Sequence, residues 1–157
     1  MTRLAVFLAT AGYSGYFPIA PGTVGSAVGL LVYGALSWVH SPVVPAVEVL
    51  VILVLFAAGV WAATTAERYF GGIDPGPIVL DEVVGMLITL AFIPVGLSGA
   101  LIGFVLFRIF DVIKPFPAGR FEKLHGGLGV MADDAMAAVY ANVTLRALIW
   151  VAPAWVG

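Results

Sequence analysis

The 157-residue chain has no cysteine, which removes disulfides, thiolate metal sites and cysteine-nucleophile phosphatase chemistry together. It is also poor in charge. Asp, Glu, Lys and Arg make up 10% of it and hydrophobic residues 62%, where an ordinary soluble domain has roughly 25% and 45–50%. Sixteen charged side chains cannot cover a soluble globule of this size, and a chain this apolar is not disordered. A net charge of −2 leaves no broad basic face, so nucleic acid is not an expected partner. There is no Gly-Lys-Thr/Ser phosphate loop, no internal repeat and no low-complexity segment. Lipid is the expected solvent, and the length suits one domain, 1–157.

The few charges are clustered. Thirteen of the sixteen lie between Glu67 and Asp134, with only Arg3, Glu48 and Arg146 outside, which suggests one polar working face on an apolar body. Arg3 precedes a short apolar run, Leu4–Ala11, followed by Pro18-Ile-Ala-Pro-Gly-Thr23. This reads as a membrane-associated first helix rather than a cleaved signal peptide. Residues 24–39 form an uncharged helix whose Gly25, Gly29 and Gly34 allow close approach in lipid. Residues 47–66 are the strongest span, about 30 Å at about 1.5 Å per residue, closing on the interfacial Glu67-Arg68-Tyr69.

The uncharged stretch 83–107 would be about 38 Å long as one helix, but Pro94, Gly96, Ser98 and Gly99 interrupt it. They split it into arms of about 11 and 14 residues, each too short to span, so a hairpin returning to its own side is expected. Pro115 and Pro117 stop the second arm, 118–132 is polar and glycine-rich, and Asp133 or Asp134 caps a last apolar helix reaching about Trp150. The expected architecture is all-α: a small membrane protein of about three spanning helices plus a broken helical hairpin at the cytoplasmic side. That arrangement collects Arg3, Arg68, Arg108, Lys114, Arg120 and Lys123 on the inner side, and the outer connection 39–47 has no lysine or arginine, in keeping with the positive-inside bias.

The same arrangement brings Asp81, Glu82, Asp111, Asp133 and Asp134 to one face. Carboxylates beside membrane-buried helices are costly unless something positive neutralises them, and a hard divalent cation such as Mg²⁺ does so through their oxygens. The bland alternative makes Asp133 and Asp134 caps and Asp81 a helix start. Arg108, Asp111 and Lys114, spaced i, i+3, i+6, form either a salt-bridge ladder or a phosphate-binding stripe in which Arg108 grips by its planar fork and Lys114 acts as a point charge. Gly22 and Thr23, entering a helix, offer an amide cradle for an anion, with Thr23 as a possible cap. His125, beside two glycines, is a candidate metal ligand, proton shuttle or phosphate ligand; His40, near the outer interface, is not expected to take part.

Four ordered blocks carry a resemblance: Pro18-Ile-Ala-Pro-Gly-Thr-Val-Gly-Ser26, Asp81-Glu-Val-Val-Gly85, Phe107-Arg-Ile-Phe-Asp-Val-Ile-Lys-Pro-Phe-Pro117 and His125-Gly-Gly-Leu-Gly-Val-Met-Ala-Asp-Asp134. Together they resemble the phosphatidylglycerophosphatase A family over roughly residues 5–150. The resemblance implies a Mg²⁺-dependent phosphatase of the bacterial cytoplasmic membrane, multi-pass, its site facing the cytoplasm, which converts phosphatidylglycerophosphate to phosphatidylglycerol and phosphate.

The residue chemistry agrees with it. Asp81, Glu82, Asp133 and Asp134 are expected to hold Mg²⁺, with Asp111 as ligand or base. Arg108 and Lys114 would stabilise the phosphoryl oxygens, with help from the Gly22 and Thr23 amides. Two competing classes are a small ion- or proton-coupled transporter using the buried carboxylates and a non-catalytic membrane assembly subunit. The transporter requires charges spread through the spans, whose interiors are nearly empty of charge apart from Arg146. That residue is expected to snorkel or to pair with a carboxylate.

Overall fold

Prolines and glycines set the helix ends. The computed structural model describes residues 1–38, 43–121 and 123–156, among which every regular element is helical and no strand occurs. Residues 39–42, with His40, lie outside the described residues. Helix α1 (Thr2–Ala9) ends where Ala11, Gly12 and Tyr13 take left-handed backbone angles, and a single 3-10 turn follows at Ser14–Tyr16. Helix α2 (Pro21–Ser37) starts three residues before the expected boundary. Proline's fixed φ suits a first helical position, so Pro21 opens the helix instead of preceding it. Helix α3 (Val44–Phe70) extends the 47–66 span at both ends.

The interrupted stretch does break, into α4 (Leu80–Leu90) and α5 (Leu97–Ile113). The short α6 (Ala118–Phe121), α7 (Gly127–Val151) and α8 (Pro153–Val156) complete the chain. Asp133 and Asp134 are therefore not helix caps, contrary to expectation. α7 begins at Gly127, because Gly126 makes a sharp turn at φ 69° and the Gly127 amide donates to Thr64 Oγ1 at 2.8 Å. A β-carbon on Gly127 would stand 2.7 Å from the Thr64 nitrogen, so α3 pins this start and carries both aspartates into the second turn of α7.

α4 is the buried centre. Nine of its eleven residues are buried, and Met86, Leu87 and Leu90 pack with Tyr33, Phe107, Ala137, Ala141 and Leu145 from α2, α5 and α7. A second cluster joins α1 to α3 through Ala5, Ala9, Ala62, Ala63 and Ala66. On α2, a β-carbon at Gly29 would lie 2.7 Å from Met86 Cβ and 2.8 Å from the Val83 carbonyl, whereas one at Gly34 would meet nothing within 4 Å. Alanine gains up to about 1 kcal/mol of helix propensity over glycine, and forced overpacking costs about 1–3 kcal/mol. Gly34→Ala is thus expected to raise the thermal midpoint of the detergent-solubilised protein slightly and Gly29→Ala to lower it. Equal shifts of the same sign would show that the α2–α4 contact is not close-packed.

Side-chain donors from α7 meet the carbonyls at and just past the C-terminal end of α4. Asn142 Nδ2 donates to the Ile88, Thr89 and Ala91 carbonyls at 3.0–3.2 Å, and Arg146 Nη2 donates to Ala91 O at 3.0 Å. Tyr33 Oη donates to Ile93 O at 2.8 Å, and the Phe92 N–H to Glu48 Oε2 at 3.2 Å. Backbone that breaks off inside an apolar body needs such partners. Arg146 bonds to the Ala91 and Phe92 carbonyls just past α4 and, at 2.8 Å, to Asn142 Oδ1, placing its charge near the negative end of α4.

Among the described residues, α3 alone is long and apolar enough to cross a membrane; α2 is shorter. The outward surface is apolar well beyond α3. On α5, Leu97, Leu101, Val105, Ile109 and Val112 form an exposed stripe at helical spacing, and Val139, Val143 and Trp150 are exposed on α7. Continuous apolar faces of this kind suit a lipid solvent better than water.

Candidate metal and phosphate centre

Asp81 and Glu82 stand in the first turn of α4, and Asp134 reaches them from the second turn of α7. One oxygen from each of the three lies within 4.8 Å of the others. Asp81 and Asp134 are only 5% and 3% exposed. Asp81 Oδ1, Glu82 Oε2 and Asp134 Oδ2 are buried with no hydrogen-bond partner among the described residues.

Buried, partnerless carboxylate oxygens facing one another are destabilising, and the positive end of the α4 dipole offsets only part of the cost. Burial first, and then the charges of Glu82 and Asp134, push the Asp81 carboxyl well above its usual range. Burial likewise raises Glu82 to about 7. A divalent cation reverses that balance, because it favours the ionised oxygens. Three hard oxygen donors with free lone pairs are the donor set of such an ion, so these residues fit one.

Beside the acidic group stands Arg108 of α5. Its Nη1 is 2.8 Å from Asp111 Oδ2 and 3.8 Å from Glu82 Oε1, and it donates to Ser26 Oγ at 3.5 Å. Asp111 is close enough to Asp134 that its charge helps to push the Asp134 carboxyl up, after burial and the Glu82 charge. Gly22, in the first turn of α2, lies directly against this pair. A β-carbon there would strike Glu82 Oε1 and come within 3.1 Å of Arg108 Nη1. The missing side chain lets the positive end of α2 approach.

The expected site residues divide accordingly. Asp81, Glu82, Asp134, Asp111, Arg108 and Gly22 are brought together. Asp133 faces away from the triad: its Oδ2 accepts from Lys114 Nζ, at the left-handed C-cap of α5, and its Oδ1 accepts the Asp134 N–H at 3.0 Å. Thr23 is exposed and sits inside α2, not at its cap, with its N–H already given to Ala20 O at 3.0 Å. His125 is exposed in the connection before α7 and takes no part in these contacts. Ser26 is a residue that the sequence reading passed over. It is fully buried, donates to Gly22 O at 2.9 Å and receives Arg108. Its i+4 spacing from Gly22 was the available signal.

Comparison with known proteins gives the following. The family model described as PgpA, Phosphatidylglycerophosphatase A, matches residues 7–149. A Bacteroides thetaiotaomicron protein, provisionally named a phosphatidylinositol-3-phosphatase, is 37% identical over 153 residues, covering 94% of this chain and 95% of its own. Phosphatidylglycerophosphatase A of Haemophilus influenzae is 38% identical, covering 86% and 82%. Its Escherichia coli K12 namesake is 37% identical, covering 80% and 72%. No solved structure matches the chain.

Proposed function

The chain belongs to the phosphatidylglycerophosphatase A family and is a phosphatase, and we propose that its substrate is phosphatidylglycerophosphate, hydrolysed to phosphatidylglycerol and inorganic phosphate. The observation that carries this reading is the cluster of three buried carboxylates with partnerless oxygens beside Arg108. Asp81, Glu82 and Asp134 would hold Mg²⁺. Bound there, the ion supplies charge neutralisation of the phosphoryl oxygens and a more acidic water.

The chain's own side chains do the rest. Arg108 meets the equatorial phosphoryl oxygens through its fork, and the open backbone at Gly22 leaves room for them. Asp111, oriented by Arg108 at 2.8 Å, takes the proton of the attacking water. As the new P–O bond forms, the bond from phosphorus to the glycerol oxygen breaks, and that oxygen takes a proton from solvent. Lys114, held by Asp133, adds a point charge at the edge of the site. No step is drawn through Thr23 or His125.

Residues 1–157 form one domain in this reading, with α2, α3 and α7 crossing the bacterial inner membrane and the α4–α5 hairpin returning to the cytoplasmic side. A transporter is disfavoured because the carboxylates gather in one cluster beside a base instead of marking a route along the helices.

The test is phosphate release by the detergent-solubilised protein from phosphatidylglycerophosphate, with Mg²⁺ and with chelator. Release that depends on the ion is expected. Release that survives exhaustive chelation would contradict the metal assignment. Faster turnover of phosphatidylinositol 3-phosphate, the substrate in the name of the Bacteroides relative, would contradict the lipid assignment.

A further inference from the structure

Where α1 packs against the end of α3, a cleft of about 640 Å³ is lined by Thr2, Arg3, Val6, Tyr13, Tyr16 and Tyr69. None of the acidic-centre residues lines it. Its aromatic wall is built. Tyr13 and Tyr16 stack with centroids 5.9 Å apart, Phe7 meets Tyr13 edge-on at 5.2 Å, and Phe70 meets both Tyr16 and Tyr69 edge-on at 6.1 and 5.1 Å.

The loop that carries two of these rings is fixed from within. Thr10 is fully buried, its hydroxyl donates to Val6 O at 2.8 Å, and its Oγ1 accepts the Tyr13 N–H at 3.1 Å. Ser14 Oγ donates to Thr10 O at 3.2 Å. Arg3 has no carboxylate partner among the described residues. Tyr13, Tyr16 and Tyr69 are all exposed to the cleft, and their phenols are protonated donors near neutral pH.

A guanidinium with no carboxylate partner among the described residues, lining one cleft with three phenols and no carboxylate, selects an oxyanion. Aromatic faces in the same cleft suit an anion joined to an apolar body, and Tyr69 and Phe70 end α3, the one helix among the described residues long and apolar enough to span, where interfacial aromatics are expected. We propose that this cleft is a phosphate-binding site, separate from the acidic centre, for the phosphate of an anionic lipid headgroup or the free ion. The inference does not depend on the substrate assigned to the acidic centre, because its readout lies at the tyrosine rings.

The experiment follows tyrosine ring resonances of the ¹³C-tyrosine-labelled protein in neutral detergent during separate titrations with dihexanoyl phosphatidylglycerol, inorganic phosphate and dihexanoylglycerol. Saturable shifts at Tyr13, Tyr16 and Tyr69 are expected with the phospholipid, with affinity about tenfold weaker or worse in Arg3→Gln, the size of a lost charge-assisted contact. The same shifts with inorganic phosphate would support the site and make the free ion a ligand; shifts with the phospholipid alone would support it and make the ligand a lipid. Equal shifts with dihexanoylglycerol, no saturable shift with either phosphate compound, or unchanged affinity in Arg3→Gln would overturn the proposal.

Discussion

Replacing Asp134 by asparagine is expected to lower phosphate release by about three orders of magnitude, equivalent to about 4 kcal/mol of transition-state stabilisation, while making the chelated protein more stable, not less. The two effects have one origin. Asp134 Oδ2 is buried without a partner and faces two other carboxylates, so with no cation its charge is a liability, and with one it is a ligand. Asparagine keeps the shape, removes the charge and supplies an amide to the neighbouring Asp111. In chelator its thermal midpoint should exceed that of the unsubstituted protein; on adding Mg²⁺ the unsubstituted protein should gain and the variant should not. Asp81→Asn is expected to behave alike. A loss of stability both with and without the ion would mean that Asp134 is a structural residue.

Arg108→Gln is expected to lower turnover by about 10²–10³-fold, the range found when one donor to a developing phosphoryl or oxyanion charge is removed. Here the metal dependence should move the other way. Arg108 sits 2.8 Å from Asp111 and 3.8 Å from Glu82, so its loss leaves the carboxylates more negative, and the Mg²⁺ concentration for half-maximal activity should hold or fall. Arg108→Lys retains the charge but not the planar fork and should lie between the two. A rise in the Mg²⁺ requirement would place Arg108 in the support of the metal site instead of on the phosphate.

These residues were differently legible in the sequence. Asp81 and Glu82 announced themselves because acidic neighbours are rare in so apolar a chain, and the hairpin because Pro94 to Gly99 cannot continue a helix. What spacing could not give was the choice between Asp133 and Asp134. Adjacent residues on a helix point about 100° apart, and only the packing of α5, which delivers Lys114 to Asp133, decides which carboxylate faces the triad.

Helix starts were misjudged where a residue usually counted as a breaker opens the helix. Pro21 does so by its own φ, and Gly127 because α3 leaves no room for a side chain. Arg146 was expected to seek lipid headgroups or a carboxylate. Its partners are the Ala91 and Phe92 carbonyls, just past the end of α4, a demand that no pattern within α7 encodes. Gly22 was legible as part of a glycine-bearing helix entrance, but Ser26 becomes a site residue only once α5 is placed across it.

The most direct measurement is Mn²⁺ binding followed by electron paramagnetic resonance, with Mn²⁺ standing in for Mg²⁺ on oxygen ligands. It is made without substrate on the unsubstituted protein and on Asp81→Asn, Glu82→Gln, Asp134→Asn and Asp133→Asn. If Asp81, Glu82 and Asp134 share one ion, the saturable signal should collapse in each of their variants and persist in Asp133→Asn. Undiminished binding in those first three variants would contradict a shared ion at this cluster.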